Sequence, residues 1–183
     1  MGCQEVGVRI KKLASPNFSS RNGQEVDMIV IHAISLPPGE FGTGYVLDLF
    51  LNRLDVTAHP SFKGLEGLKV SAHYFIDREG TVIELVDPDQ MAWHAGESSF
   101  EGREGCNPFS IGIELEGDPD HPFTEGQYRI LRQLCILLME CYPSITPERI
   151  VGHSDIAPGR KDDPGPLFAW GRLRDALTEK AKG

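Results

Sequence analysis

The first strong apolar burst along the chain is Met28-Ile29-Val30-Ile31, a β-branched run ending at His32 that predicts a buried strand. Strand alternation sets Met28, Val30 and His32 on one face and Ile29 and Ile31 on the other. Pro37, Pro38, Gly39, Gly42 and Gly44 then mark a long loop. Between Tyr45 and Leu54 a short helix is predicted, with Val46, Leu49 and Phe50 on one face. Ser71 to Asp77 and Thr81 to Val86 flank Arg78-Glu79-Gly80, a hairpin signal. Pro88 to Phe109 reads as irregular, rich in Gly, Ser and charge. Ser110 to Glu116 is the third clear strand, and Thr124 to Cys141 the longest helical pattern. Thr124 can cap that helix, and Tyr128, Leu131, Leu134, Cys135 and Leu138 form its apolar stripe. Arg149 to Val151 predicts a short strand, a Pro-, Gly- and charge-rich loop follows, and a last helix is expected from Pro166 to Ala181.

Strands and helices alternate without an even βαβ rhythm. The expected fold is therefore α/β of the α+β type, a central mixed β-sheet with helices packed on it. A length of 183 residues suits a single domain, 1–183. The two long irregular segments exceed what compact domains normally carry, and such loops are usually functional.

Charge and cysteines narrow the function. The net charge of −9 lacks the basic footprint that nucleic-acid binding needs. No stretch approaches the length of a membrane span. Met-Gly-Cys-Gln-Glu-Val has no apolar run behind it, so a signal peptide is not expected, and Val6 departs from the acylation pattern. Cytoplasmic residence is the default expectation. Cys3, Cys106, Cys135 and Cys141 contain no C-x-x-C pair and read as reduced, mostly buried thiols.

The candidate chemistry sits at strand ends and in the loops. His32 closes a buried strand where core meets loop, a good place for a ligand; alone, it equally suits a hydrogen-bonded rim histidine. His153 opens Gly-His-Ser-Asp-Ile-Ala-Pro-Gly-Arg-Lys-Asp-Asp-Pro-Gly-Pro, whose prolines and glycines suit a loop that fixes side chains. Two imidazoles and one carboxylate are the ligand set of many catalytic zinc sites, and His32, His153 and one of Asp155, Asp162 or Asp163 can supply it. A non-haem iron triad starting at His153-Ser-Asp155 would want a further histidine downstream, and His153 is the last in the chain. Glu114 and Glu116 share a face of an otherwise apolar strand. Either one, raised in pKa by burial, suits a general base; the plainer reading is an antiparallel strand with one wet face. Lys161 stands near the candidate aspartates, where an ammonium could stabilise an oxyanion. Trp93 could stack on a sugar, and His94 could donate a hydrogen bond to it. His73 has no decisive reading from pattern alone.

These pieces resemble the type 2 N-acetylmuramoyl-L-alanine amidase family, which shares its fold with peptidoglycan recognition proteins and phage lysozyme-like amidases. The matching stretches are Val-Ile-His-Ala-Ile-Ser-Leu-Pro-Pro-Gly-Glu-Phe-Gly, Val-Ser-Ala-His-Tyr, Ala-Trp-His-Ala-Gly-Glu-Ser, the run from Gly-Arg-Glu-Gly-Cys to Ile-Gly-Ile-Glu-Leu-Glu-Gly, and Gly-His-Ser-Asp-Ile-Ala-Pro to Asp-Pro-Gly-Pro. They span roughly residues 28 to 170, and the Ser-Leu-Pro-Pro-Gly-Glu-Phe-Gly loop points to the cytosolic, anhydro-muropeptide branch. The resemblance implies one Zn2+ per chain on His32, His153 and Asp163, at the sheet edge under the long loops. It implies Glu114 as the residue that activates water and Lys161 as oxyanion stabiliser or proton donor. Trp93, His94, His73 and Arg103 would bind substrate. The expected substrate is an anhydro-muramyl peptide released in cell-wall recycling, acted on by a monomer with no nucleic-acid or membrane partner. Ala33 and Gly105 replace an Asn and a basic residue usual in the family, which bears on peptide preference. The rival readings are a non-catalytic muropeptide-binding module and an iron redox protein.

Overall fold

A computed structural model describes residues 8–181. Before the first expected strand lie β1 (Ile10–Lys12) and β2 (Phe18–Ser20), followed by β3 (Met28–Ile34), α1 (Tyr45–Phe50), β4 (Tyr74–Ile76) and β5 (Val82–Glu84). The segment read as irregular holds β6 (Gln90–Ala92), β7 (Ser99–Phe100) and β8 (Arg103–Glu104). Then come β9 (Ser110–Glu116), α2 (Glu125–Cys141), β10 (Ile150–Gly152), the single-turn α3 (His153–Ile156) and α4 (Trp170–Ala181).

Six strands form one sheet in the order β1-β5-β4-β9-β3-β10. Only β4–β5, the predicted hairpin, is antiparallel; β9 runs parallel to both β3 and β4. The sheet is mixed, as expected, but β9 has no wet face: all seven of its residues are buried. Parallel strands covered on both sides are apolar throughout, which is why Met28–Ile31 reads as a continuous run. On one side Ile29, Ile31, Ile111, Ile113 and Leu115 pack against Leu131, Leu134 and Leu138 of α2 and Leu173 and Leu177 of α4. On the other, Met28 and Val30 meet Ala95, Cys106, Phe109 and Ile156 from the loops. The loop-covered side therefore also receives His32, Gly112 and Glu114, by alternation along β3 and β9.

The cap of α2 ties that helix to the hairpin. Thr124 Oγ1 accepts from Gln127 N at 3.1 Å while Gln127 Oε1 accepts from Thr124 N at 3.0 Å. Thr124 Oγ1 also donates to the Arg78 carbonyl, 2.7 Å away, in the hairpin turn. Gly80 makes that turn with φ +86, and a Cβ there would lie 3.0 Å from the Gly126 carbonyl oxygen.

Two further expectations need correction. The last helix starts at Trp170 rather than Pro166. Ala169 donates its amide to the Tyr128 hydroxyl at 2.7 Å, and Phe168 packs edge-on against Phe123, so 166–169 is spent on tertiary contacts. Residues ahead of the first expected strand also join the core: Ser15, Asn17 and Arg21 are buried, and Asn17 Nδ2 donates to the Val70 carbonyl at 2.7 Å. Finally, Cys106 and Cys135 are free and buried, but Cys141 is disulfide-bonded, not a reduced thiol. Cys3 and the rest of the Met-Gly-Cys segment lie outside the described residues. Among the described residues no helix is long and apolar enough to cross a membrane.

Candidate metal centre

His32 on β3 and Glu114 on β9 are register partners, so their side chains stand next to each other at the C-terminal end of the parallel strands. His153 begins α3, directly after edge strand β10. Asp163 returns to it because Ser154 N donates to the Asp163 carbonyl at 3.0 Å, closing the Pro- and Gly-rich loop. The result is a triangle: His32 Nδ1 and His153 Nδ1 are 3.0 Å apart, and Asp163 Oδ2 is 3.2 Å from each. The group lies one strand in from the sheet edge and on it, consistent with an edge site.

The donors fit a metal ion. Ligands about 2.0–2.1 Å from a tetrahedral zinc stand roughly 3.3 Å from one another, close to the sides of this triangle. His153 Nε2 lies 3.1 Å from the Ala95 carbonyl oxygen, which can only accept, and 3.3 Å from Arg160 Nη2, which donates over a shorter 2.7 Å to the same carbonyl; with the ring proton on Nε2, the lone pair lies on Nδ1. Three acceptors then converge, and a cation is what reconciles them. Burial lowers the His32 pKa to about 4, partly offset by Asp163, so the ring is neutral and free to ligate at pH 7. Burial pushes Asp163 upward, but the two imidazoles beside it outweigh that and hold the carboxyl below its usual range.

Glu114 is 8% exposed, and its Oε2 is buried with no hydrogen-bond partner. Desolvation, and then the nearby Asp163 carboxylate, push its pKa well above the usual range; the Lys161 charge pulls the other way. Glu116, on the same face, is spent elsewhere: Oε1 accepts from Gly42 N at 2.6 Å and Oε2 from Arg78 N at 3.2 Å, pinning a loop and the hairpin. The carboxylate beside the triangle is therefore Glu114. Among the aspartates, Asp155 accepts from Gly152 N at 2.7 Å and caps α3, while Asp162 is exposed. Lys161 is exposed on the near side, its charge acting on both His32 and Glu114.

The residues expected to bind substrate do not gather here. His73 is 0% exposed, held by Gly112 N donating to its Nδ1 at 2.9 Å; it has no face left for a ligand. His94 lies behind His32, its Nδ1 3.0 Å from His32 Nε2. Arg103 pairs with Asp27 at 2.8 Å, and its guanidinium covers the Phe109 ring. Asp27 precedes β3 by one residue, so Arg103 sits at the opposite end of that strand, roughly 16 Å from His32 at about 3.3 Å per residue. Trp93 is half-buried and donates from Nε1 to Ser19 Oγ at 2.8 Å, leaving part of the indole open. Pattern reading missed Ser110, Asn107 and the Ala95 carbonyl, which support the histidines. A buried serine at a strand start carries no signal in the sequence.

A two-histidine, one-aspartate group able to hold a metal beside a buried glutamate is the arrangement of a metal-assisted hydrolase. Residues 22–166 match the N-acetylmuramoyl-L-alanine amidase family, and the chain belongs to it. It is 50% identical over 168 residues to the 1,6-anhydro-N-acetylmuramyl-L-alanine amidase AmpD of Haemophilus influenzae, covering 91% of each chain. The crystal structure of a selenomethionine AmpD derivative superposes with a TM-score of 0.90 at 43% identity, covering 96% of this chain and 97% of that one. The E. coli amidase AmiD, in complex with the substrate anhydro-N-acetylmuramic acid-L-Ala-D-gamma-Glu-L-Lys, superposes at 0.63 with 31% identity, covering 86% of this chain and 58% of that one.

Proposed function

We propose that this amidase is zinc-dependent and hydrolyses the amide between the lactyl group of 1,6-anhydro-N-acetylmuramic acid and the L-alanine of the stem peptide, in peptidoglycan recycling. The observation that carries the reading is the His32–His153–Asp163 triangle beside the unpartnered Oε2 of Glu114. The 50% identity to an enzyme named for the anhydro substrate supports the choice of sugar. Zinc held by those three side chains would supply a Lewis acid and a water acidified towards a pKa of roughly 7. Glu114, whose raised pKa makes it a stronger base than an ordinary carboxylate, takes the proton from the attacking water. As the new C–O bond forms, the Lys161 ammonium faces the negative charge growing on the carbonyl oxygen. The C–N bond breaks when Glu114 passes its proton to the leaving alanine amine. The open part of Trp93 offers an apolar wall for the sugar.

The test is mass spectrometry of anhydro-muramyl tripeptide incubated with the purified protein, with and without a chelator. Free peptide plus anhydro-sugar, lost on chelation and regained with zinc, is the expected result. Intact substrate in a stable complex would overturn the reading in favour of a binding module, and iron after aerobic purification would favour the redox alternative. Native mass spectra of the same sample should show a monomer with one zinc. The compartment assigned is the cytoplasm, to be checked by cell fractionation; recovery from an oxidising compartment, where the Cys141 disulfide would persist, would reject it.

A further inference from the structure

Behind His32 runs a chain of hydrogen bonds whose direction is set at its far end. The Cys106 carbonyl can only accept, and Ser110 Oγ lies 2.7 Å from it, so the hydroxyl gives its one proton there. Ser110 Oγ is then an acceptor towards His94 Nε2, 3.1 Å away, which places the His94 proton on Nε2. His94 Nδ1 is left as an acceptor, and it faces His32 Nε2 at 3.0 Å. His32 must donate from Nε2, so its lone pair lies on Nδ1, the atom in the triangle with His153 and Asp163. The reverse order would give up the 2.7 Å bond to the Cys106 carbonyl, leaving that oxygen only the longer 3.3 Å bond from Phe109 N, and would put a proton on His32 Nδ1, where the metal belongs.

We propose that Ser110 and His94 are positioning residues that fix His32 in its metal-binding tautomer, with the Cys106 carbonyl as the anchor that sets the direction. The other histidine has a shorter arrangement, His153 Nε2 donating straight to the Ala95 carbonyl at 3.1 Å. Space for the relay is built into the sheet. A Cβ on Gly112 would lie 2.4 Å from His94 Cγ, so only glycine lets the ring lie flat on β9 and reach His32. His94, Ser110 and His32 are each buried, which keeps water from substituting for a missing member. Supporting partners of this kind typically change metal affinity about 10–100-fold when removed.

The inference rests on the reading of the triangle as a zinc site, and two readouts separate the two. Imidazole 15N shifts of the metal-free wild-type protein should show His32 protonated on Nε2; a proton on Nδ1 would overturn the relay whether or not zinc binds. Zinc titrated against a chromophoric chelator should bind Ser110→Ala and His94→Phe about 10–100-fold more weakly than wild type, with the His153 tautomer unchanged. Affinities within threefold of wild type in both variants would reject the relay. A wild-type protein that takes up no zinc would instead reject the proposed function, and the 15N measurement would still decide the tautomer.

Discussion

At the residue scale, the groups around the triangle divide by whether their polar atoms are already used. Glu116 and Asp155 accept backbone amides and serve the fold, whereas Glu114 keeps Oε2 unpartnered within reach of the metal group. An unmatched buried carboxylate is costly to stability, so its presence points to the reaction. Glu114→Gln, which keeps the shape and removes the base, should lower turnover by about 10²–10⁴-fold while zinc content stays at one per chain. Turnover near wild type with zinc bound would take the base role from Glu114. Gly112→Ala forces a methyl against the His94 ring, 2.4 Å from Cγ in the undisturbed geometry. Overpacking of that kind costs about 1–3 kcal/mol, which should appear as a lower midpoint in urea unfolding. The departures at Ala33 and Gly105 lie outside the triangle: Ala33 packs towards the helical core, and Gly105 is half-buried with φ +68, its amide donating to the Ser98 carbonyl at 2.7 Å.

At the element scale, the helix α2 and the two central strands match the periodicities that announce them. Thr124-x-x-Gln127 is a capping box on the page of the sequence, and β9 is read to the residue, Ser110–Glu116. The short elements were harder. β1, β2, β6, β7 and β8 have two or three residues each, too few for alternation to register, and they persist because neighbours supply their hydrogen bonds. The alternation Val8, Ile10, Lys12 was the one local hint of β1. Thr124→Ala removes both the cap and the bond to the Arg78 carbonyl, and should destabilise the protein by about 1–2 kcal/mol in urea unfolding. A change below a few tenths would mean that α2 is held by its apolar stripe alone.

At the scale of the whole molecule, four buried histidines sit within one side of the sheet, and for three of them, His32, His73 and His94, burial is the main reason they resist protonation. The His73 pKa is lowered to about 3, the His32 pKa to about 4, and that of His94 well below its ordinary value. For a base depressed in the folded state, stability is complete above the unfolded pKa near 6.5 and declines as pH falls towards the folded value. Each histidine contributes a slope of about 1.4 kcal/mol per pH unit in that window. Glu114, raised in the folded state, has the opposite sign, but it is one group against three. Metal-free protein should thus unfold at lower urea at pH 5.5 than at pH 7.5; equal midpoints would show that the histidines charge without unfolding. With zinc as the proposed ligand of the folded triangle, a chelator should lower Tm and added zinc restore it.

Strand and helix positions, the apolar faces and the pool of candidate ligands were legible in the chain because they depend on neighbours a few residues apart. Residue pattern alone left Asp155, Asp162 and Asp163 open, and Glu114 against Glu116; resemblance to a family chose among them. The three-dimensional structure brings Asp163 to the two histidines and leaves Glu114 unpartnered, while the other carboxylates are spent on backbone amides or exposed. Tertiary structure alone decided that β9 is parallel and dry on both faces, that His73 and Arg103 stand away from the triangle, and that His94 stands behind His32. Those facts come from pairings across many tens of residues, such as His32 with Glu114 and His94 with Ser110, and no local spacing encodes which distant strand or loop a side chain will face.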